Sequence, residues 1–367
     1  MYDPEAYKRT YDQIEHGKAR MSAIRSAIEA ADANKDRPFQ FFFRLELCHE
    51  SDFYDDSMDM LVVFPELLSL ADQYPDTPVT RFDSYYKNEV DHILWVYKWV
   101  LDACINFYQI PMEDCLKFFE DFKRRSIAFG YNLRPYYHLK YKFYKNIDDK
   151  KADEAFREFE RLPKDSNSDC KACERNTAIG FYLDKGDMKR AAELSRDIEN
   201  RILTCGRNNS AWLRMKGHYL CHYKDEGNLE EALRYCRLLD RSKREETEHH
   251  RWDDLICCYA HADIGKALKL YKEHWKELQE DRMPTSIFWN SFQLSHFFEK
   301  LAESRKGKTV KLALDPSFPL YQESGQYRIE SLQDYYYQVA CDVAKKMDAR
   351  NGVNTYQDLL EKGIAFS

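Results

Sequence analysis

The sequence predicts an all-α fold in which helical hairpins stack as an α-solenoid behind an irregular N-terminal helical region. Three observations carry this prediction. A short phrase recurs every 35 to 41 residues, glycine and proline number only 12 and 11 among 367 residues, and no stretch shows the alternating pattern of a strand. Scarce glycine and proline favour helices over turns, and the period of the phrase is that of a helix-turn-helix repeat.

The N-terminal region, 1–109, is predicted to be helical but irregular. One long amphipathic helix is expected over 4–33, because the alanine-rich stretch from Ser22 to Ala33 strongly favours helix. Two helix pairs follow, the first less regular than the second. They are predicted at 38–51 with 54–72 and at 82–107 with 111–129.

The segment 110–280 carries the recurring phrase. Aligned on its small residue, the phrase occurs at Cys115, Ala155, Ala191, Ala232 and Ala267, with spacings of 40, 36, 41 and 35 residues. Each occurrence opens the second helix of a hairpin. The aromatic-rich first helices are predicted at 133–146, 170–185, 208–225 and 246–261, and the second helix that opens at Ala191 is predicted over 188–203.

Glycines and short polar residues mark the turns between these helices. Gly186 and Gly227 stand where a first helix should end in a left-handed residue. Asp187, Asn228 and Asp263 follow the turns as candidate N-caps. The sequence therefore predicts tight hairpins in this segment.

Apolar residues recur behind each cap at steps of three and four, so they share one helical face. A single hairpin cannot bury such a face alone, and stacked neighbours are expected to share a core. The three stripes are Ala191, Leu194, Ser195, Ile198 and Ile202; Leu229, Ala232, Leu233, Cys236 and Leu239; and Ile264, Ala267, Leu268, Tyr271, Trp275 and Leu278.

The C-terminal segment, 281–367, is predicted to contain helices interrupted by a surface loop. The loop spans 304–326 and holds two prolines and two glycines. A long helix is expected over 329–352, ending at Asn351-Gly352.

The net charge of -7 speaks against a general nucleic-acid or anionic-membrane binder. The first residues are charged and show no apolar run of the kind found in signal peptides, so no secretory signal is expected. The most apolar run, Met60 to Ala71, is too short to span a bilayer. Eleven cysteines, an odd number, fit reduced thiols better than disulfides. We therefore expect a cytoplasmic protein without nucleic-acid or membrane partners.

The glycine-acid phrase, its period and the paired helices resemble tetratricopeptide-like repeats. The run from Ile93 to Trp99 and the Cys170-x-x-Cys173 motif resemble a group of uncharacterised bacterial repeat proteins. The resemblance implies a protein or peptide partner in a concave groove. Neither catalytic activity nor a cofactor is expected, because no catalytic or cofactor motif is recognised in the sequence. A peptide-responsive bacterial signalling regulator is a more specific alternative.

Residues on first helices should line such a groove. The candidates for partner binding are Lys140, Arg214, His218 and His222, and the last three share one face at steps of four residues. The run from Arg134 to Asn146 interleaves bases and aromatics, which single-strand binders also do. Its tyrosines follow helical spacing, so packing between repeats is the preferred interpretation.

Three cysteines are expected to meet at one end of a hairpin. Cys170 and Cys173 begin a first helix, and Cys205 follows the end of its antiparallel partner. Three thiols leave a structural zinc site one ligand short, so structural cysteines without a stoichiometric metal are expected. A zinc site and a redox pair remain as alternatives, and a metal- or thiol-dependent function centred there is the rival to partner binding.

His250 and Asp254 are four residues apart in a run of acids and histidines, Glu245 to Asp254. They could share a helical face, but no third ligand is placed nearby, so this run is predicted to be a solvated helix start. Neither a phosphate-binding glycine loop nor a nucleophile elbow is present in the chain, and an enzyme is not expected.

Overall fold

The computed structural model describes residues 1–52, 58–77, 92–205, 210–242 and 251–364. Within these ranges the chain forms 17 α-helices and two short strands, and the all-α prediction is confirmed at this level. None of the helices in the described ranges is both long and apolar enough to cross a membrane.

The elements follow one another along the chain in this order: α1 (Pro4–Tyr11), α2 (Lys18–Ala33), α3 (Arg37–Glu50), α4 (Asp59–Gln73), α5 (His92–Asn106), α6 (Met112–Ala128), α7 (Arg134–Tyr144), α8 (Asp149–Arg161), α9 (Lys171–Asp184), α10 (Met188–Glu199), α11 (Ser210–Asp225), α12 (Leu229–Ser242), α13 (Trp252–Ala262), α14 (Ile264–Glu280), α15 (Pro284–Ser304), β1 (Thr309–Lys311), β2 (Gln326–Arg328), α16 (Ile329–Asn351) and α17 (Thr355–Lys362).

The chain divides into two compact units. Unit 1 comprises Met1–Ser168 with Arg282–Pro284 and Arg350–Val353, and unit 2 comprises Asp169–Asp281, Thr285–Ala349 and Asn354–Ser367. The predicted segments 1–109, 110–280 and 281–367 are defined by the presence or absence of the recurring phrase. The two units are defined by spatial compactness, so their boundaries are not directly comparable with those of the segments.

The prediction of one helix over 4–33 is wrong, because the chain turns sharply between α1 and α2. Gly17 takes a φ of +115°, a conformation that side chains disfavour. Its backbone N–H donates to Oε1 of the buried Glu50 at 2.6 Å. A carboxylate 33 residues away in sequence therefore holds the break, which local helix propensity does not reveal.

Most of the other N-terminal boundaries agree with the prediction where they can be compared. α3 and α6 begin and end within one residue of the predicted 38–51 and 111–129, whereas α4 begins at Asp59 after a turn at 58, and α5 begins at His92. The predicted helical residues 54–57 and 82–91 lie outside the described residues.

The core of unit 1 is rich in aromatic side chains from α4, α5 and α6. Phe64 meets Tyr97 edge-on with ring centroids 4.8 Å apart, and Tyr97 lies 5.3 Å from Phe122. Offset and edge-on contacts of this kind are the favoured geometries of aromatic pairs. Beside them Arg125 forms a two-pronged ion pair with Asp72 at 2.7 and 2.8 Å, which joins α6 to α4.

The predicted hairpin turns of unit 2 are confirmed. Gly186 and Gly227 take φ angles of +73° and +71°. Asp187, Asn228 and Asp263 each accept a hydrogen bond from the amide three residues ahead, at 2.9, 3.2 and 2.9 Å. These bonds satisfy N–H groups that the first turn of a helix otherwise leaves unpaired.

Most residues of the apolar stripes are buried as predicted, but Leu229, Ile264 and Trp275 are only half-buried and Ile202 is exposed. Ala191, Ala232 and Ala267, the small residues of the recurring phrase, are each 0% exposed. Ile202 is 70% exposed, because α10 ends at Glu199 instead of continuing to 203 and Arg201 turns the chain with a φ of +56°.

Successive first helices of unit 2 contact one another. α9 packs against α11, where the Asn176 side chain donates to the backbone carbonyl of Ala211 at 2.9 Å inside the core. α11 is joined to α13 by the ion pair of Lys224 with Asp254, and α13 to α15 by a pair of histidines described below. The second helices α10, α12 and α14 pack each on its own first helix.

The expectation that no strand is present is wrong. β1 lies in the predicted loop 304–326 and pairs antiparallel with β2, with Val310 opposite Tyr327. Both of these residues are 2% exposed, while their neighbours in the strands point outward. Strands of three residues are too short for an alternating pattern to be recognised in a sequence.

A short terminal helix, α17, was also not predicted. Its first turn is held from outside the helix, because the buried Asp348 accepts backbone N–H bonds from Tyr356 at 3.0 Å and Gln357 at 2.9 Å. The cap comes from α16, because the side chain of Asn354, the residue that precedes α17, makes no cap hydrogen bond.

Candidate functional site

The three predicted cysteines lie together at the start of α9. The Sγ atoms of Cys170 and Cys173 are 3.2 Å apart, and those of Cys173 and Cys205 are 3.4 Å apart. All three sulfurs lie within 4.8 Å of one another. We call these three residues the cysteine cluster.

Local structure explains the position of each sulfur. Cys170 is the N-cap of α9, and its Sγ accepts the backbone N–H of Cys173 at 3.3 Å. Cys205 follows α10, and its carbonyl accepts the hydroxyl of Ser210, the first residue of α11, at 3.1 Å. The antiparallel course of α9 and α10 brings the end of one helix beside the start of the other, in agreement with the topological prediction.

Arg214, a predicted partner-binding residue, contacts the cysteine cluster. Its Nη2 donates to Sγ of Cys173 at 3.2 Å. Its buried Nε has no hydrogen-bond partner among the described residues. The guanidinium therefore supplies a positive charge beside the sulfurs.

The sulfurs titrate as a group rather than independently. Hydrogen bonds from the thiols of Cys173 and Cys205 lower the pKa of Cys170 well below its ordinary value. The same contact with Cys170 raises the pKa of Cys173. Cys170 is exposed and the other two are half-buried, so a thiolate in this cluster is accessible to solvent and to reagents.

His218 and His222 continue the face of α11 that begins with Arg214. The imidazole of His218 lies over Gly180 of α9, where a Cβ atom would come within 3.1 Å of the ring. The ring of His222 meets Tyr223 edge-on at 5.2 Å. All three side chains on this face are half-buried, and we call them the α11 strip.

Lys140, the fourth predicted partner-binding residue, belongs to α7 in unit 1. Its Nζ donates to the hydroxyl of Tyr136 at 3.1 Å and lies 5.2 Å from the centre of that ring. Burial lowers the pKa of Lys140. The structure thus places one predicted residue in unit 1 and the other three on a single helix of unit 2.

A buried polar network in unit 2 was missed by the sequence analysis. Lys224 on α11 donates to Oδ1 of Asp254 at 2.5 Å and to the side-chain oxygen of Gln293 at 3.0 Å. The amide nitrogen of Gln293 donates to Oδ2 of Asp253 at 2.7 Å. These bonds join α11, α13 and α15 through side chains that are at most 9% exposed.

Arg251 completes this network. It pairs with Asp254 and donates to Sγ of Cys221 at 2.8 Å. Its side chain fills the space over Gly217, where a Cβ atom would lie 3.0 Å from it. A larger residue at 217 would push Arg251 out of its position.

The prediction of a solvated helix start around Asp254 is wrong for that residue, which is 0% exposed; His250 lies outside the described residues. Burial alone would raise the pKa of Asp254, but Arg251 and Lys224 hold it below its ordinary value. Burial and the charge of Asp254 raise the pKa of Asp253 to about 6. In the sequence, the only indication of this buried network is that two acids, Asp253 and Asp254, stand directly before the apolar run of α13.

A pair of histidines bridges α13 and α15. The Nε2 atoms of His261 and His296 are 2.8 Å apart, and their rings stack with centroids 4.9 Å apart. Burial lowers the pKa of each to about 4. Two neutral imidazoles can form this bond, because the N–H of one ring donates to the bare ring nitrogen of the other. Two imidazoliums would repel each other.

A cleft of about 280 Å³ lies elsewhere in unit 2, between α14 and the strand β1. Trp275 and Tyr271 form its aromatic wall, and Leu312 and Leu314 its apolar wall. Lys272 and Lys311 stand at its sides. It offers a second surface on which a partner could be accommodated.

No family model matches the chain, and no curated protein matches it either.

Proposed function

We propose that the chain is a helical-repeat protein without catalytic activity that binds a protein or peptide segment along the α11 strip. The observation that carries the proposal is the arrangement of Arg214, His218 and His222. They lie at successive turns of one helix and are half-buried. A half-buried side chain is fixed in position by its neighbours, while its polar group remains accessible to a partner.

The chemistry of the strip favours an extended segment that carries acidic groups. A guanidinium has five N–H donors, and contact with Cys173 uses only part of them. Imidazole nitrogens can donate to or accept from a peptide backbone. The net charge of the chain is -7, so the guanidinium of Arg214 offers an acidic partner a positive charge on this face.

The packing of unit 2 supports the stacked-hairpin architecture that such binding requires. First helices contact one another from α9 to α11, α13 and α15, while α10, α12 and α14 pack each on its first helix. In an α-solenoid, side chains from successive first helices line an extended binding surface. Reduced thiols throughout the described residues fit the cytoplasm as its location.

The experiment uses a random peptide library displayed on phage, selected on the full-length protein. The dissociation constants of enriched peptides are measured by fluorescence anisotropy. The double variant His218→Ala with His222→Ala should weaken binding at least about tenfold, which corresponds to ~1.4 kcal/mol. Single variants Arg214→Ala and Lys140→Ala then test the remaining candidates.

Arg234→Ala is the matched control, because Arg234 lies on the neighbouring helix α12 and is 61% exposed, where it contacts Glu231 one turn before it and the ring of Tyr235. It should leave the affinity unchanged. Failure to enrich any peptide, or equal affinity of the wild type and the double histidine variant, would contradict the proposal.

A further inference from the structure

We propose that Cys170, Cys173 and Cys205 bind one Zn²⁺ ion through three thiolates and leave a fourth coordination position open. This inference goes beyond peptide binding and does not depend on it. It also replaces the expectation of purely structural cysteines, because the structure adds the sulfur distances and the contact of Arg214.

The distances between sulfurs suit a shared cation. A tetrahedral site with Zn–S bonds of about 2.3 Å separates its sulfurs by about 3.8 Å. The two measured separations, 3.2 and 3.4 Å, are slightly shorter. Insertion of an ion therefore requires each pair to open by roughly 0.5 Å, which small side-chain rotations supply without a change of the helices.

The backbone holds the ligands from two sides. Cys170 and Cys173 form a C-x₂-C pair across the N-terminus of α9, the spacing that many zinc sites use. Cys205 lies on the opposite side, after the end of α10, and its carbonyl accepts a hydrogen bond from Ser210 of α11. Three separate backbone elements thus fix the positions of the sulfurs before a metal is bound.

Charge favours a divalent ion over a monovalent one. Three thiolates around a dication carry a net charge of minus one, and the guanidinium of Arg214, 3.2 Å from Sγ of Cys173, balances it. A monovalent ion such as Cu(I) would leave one negative charge uncompensated at a half-buried place. An N–H donor to a ligating sulfur is also the kind of outer contact that orients and tunes metal ligands.

The fourth position has no protein ligand among the described residues, where the group of candidate ligand atoms consists of the three sulfurs alone. The undescribed residues just after Cys205 are Gly206, Arg207, Asn208 and Asn209, none of which is a usual zinc ligand. Solvent or a donor from a bound molecule would fill the position, as in zinc sites that remain open. The exposure of Cys170 gives such a donor access.

The test measures zinc on the full-length protein, kept reduced with a phosphine reductant. Zn²⁺ is titrated in competition with a chromophoric chelator, and bound metal is counted by elemental analysis. We expect one zinc per chain. Cys173→Ser should lower the affinity by more than about 100-fold, beyond the 10 to 100-fold that loss of an outer partner costs and that we expect for Arg214→Ala.

Cys341→Ser is the matched control, because Cys341 is a half-buried thiol of α16 outside the cluster. It should bind zinc like the wild type. Circular dichroism checks that each variant is folded. If Cys173→Ser fails to fold, Cys205→Ser and the stoichiometry of the wild type decide the question.

Cobalt substitution tests the ligands directly. Co²⁺ bound to the wild type should show a thiolate charge-transfer band, which should be weaker in Cys205→Ser because one of three thiolates is gone. Addition of imidazole should change the ligand-field bands, because the fourth position is open. Less than one zinc for every ten chains, or unchanged zinc binding in Cys173→Ser, would overturn the proposal. So would a Co²⁺ spectrum that imidazole leaves unaltered.

Discussion

At the scale of residues, Lys224 shows how much a buried charge depends on its partners. Its side chain is 7% exposed and its ammonium lies against Asp254, whose side chain is 0% exposed. Lys224→Met leaves that carboxylate with Arg251 alone, and removal of one partner of a buried pair costs about 3–5 kcal/mol. A urea unfolding series should show this as a lower midpoint.

Lys189→Met is the control, because Lys189 is an exposed lysine of α10 and its loss should change stability by less than about 0.5 kcal/mol. Adding Asp254→Asn to Lys224→Met should not restore stability, because the guanidinium of Arg251 then loses its carboxylate partner. Equal midpoints for Lys224→Met and Lys189→Met would show that the buried network does not form.

The histidine pair predicts a pH dependence with a defined sign. The pKa of His261 and of His296 is lowered from 6.5 to about 4 in the folded protein. Between these values the unfolded chain binds more protons than the folded one, so stability falls as the pH is lowered from 6.5 to 4. Thermal unfolding across this range should give a decreasing midpoint.

Asp253 acts in the opposite direction, because its pKa is raised to about 6 in the folded protein. Comparison with a variant separates the two effects. The double variant His261→Asn with His296→Gln keeps polar side chains at both places without the titration, and its midpoint should fall less steeply with acid. If the unfolding midpoint of the variant falls with pH as steeply as that of the wild type, the histidine pair is not the cause of the loss of stability in acid.

At the scale of elements, the hairpin turns depend on glycine for a conformational reason. Gly186 takes a φ of +73° and no atom lies within 4 Å of the position of a Cβ. Gly186→Ala should therefore destabilise through the backbone alone, by about 1–2 kcal/mol. Gly265→Ala is the matched control. Its Cβ would make an ordinary 3.4 Å contact, and it should stabilise α14 by up to about 1 kcal/mol.

The small residue of the repeat is a sharper test of the register. Ala232 is 0% exposed, so Ala232→Glu places a charge without a partner in the core and should cost several kcal/mol or prevent folding. Ala302→Glu makes the same change at an exposed position of α15 and should be nearly neutral. Similar thermal unfolding of the two variants would refute the register.

Element boundaries were predictable where their signals are local. The caps at Asp187 and Asp263 and the glycine turns follow from residues adjacent in sequence. The break at Gly17 was missed, because it is held by Glu50, and the first turn of α17 was missed because Asp348 caps it from another helix. A bond to a residue distant in sequence, such as that of Gly17 to Glu50, leaves no local pattern.

At the scale of the whole molecule, the helical class and the meeting of the three cysteines could be inferred from period and topology. The burial of Lys224, Asp253 and Asp254 could not, since charged residues are exposed by default. Their burial follows only from the packing of α11, α13 and α15. Arg214 was selected for its helical face, and its contact with Cys173 depends on the placement of α9 beside α11.

The helical class has a direct spectroscopic consequence. Far-ultraviolet circular dichroism of the full chain should show the double minimum of an α-helical protein, because the two strands hold only three residues each. A spectrum dominated by a strand signal would contradict the fold.

Hydrogen exchange with a library-selected peptide tests the central claim most directly. The claim is that a partner binds along Arg214, His218 and His222. Addition of the peptide should slow amide exchange in α11 and in α9, which packs against it, and this protection should vanish in the double histidine variant. Protection confined to the cleft between α14 and β1, or to unit 1, would contradict the claim.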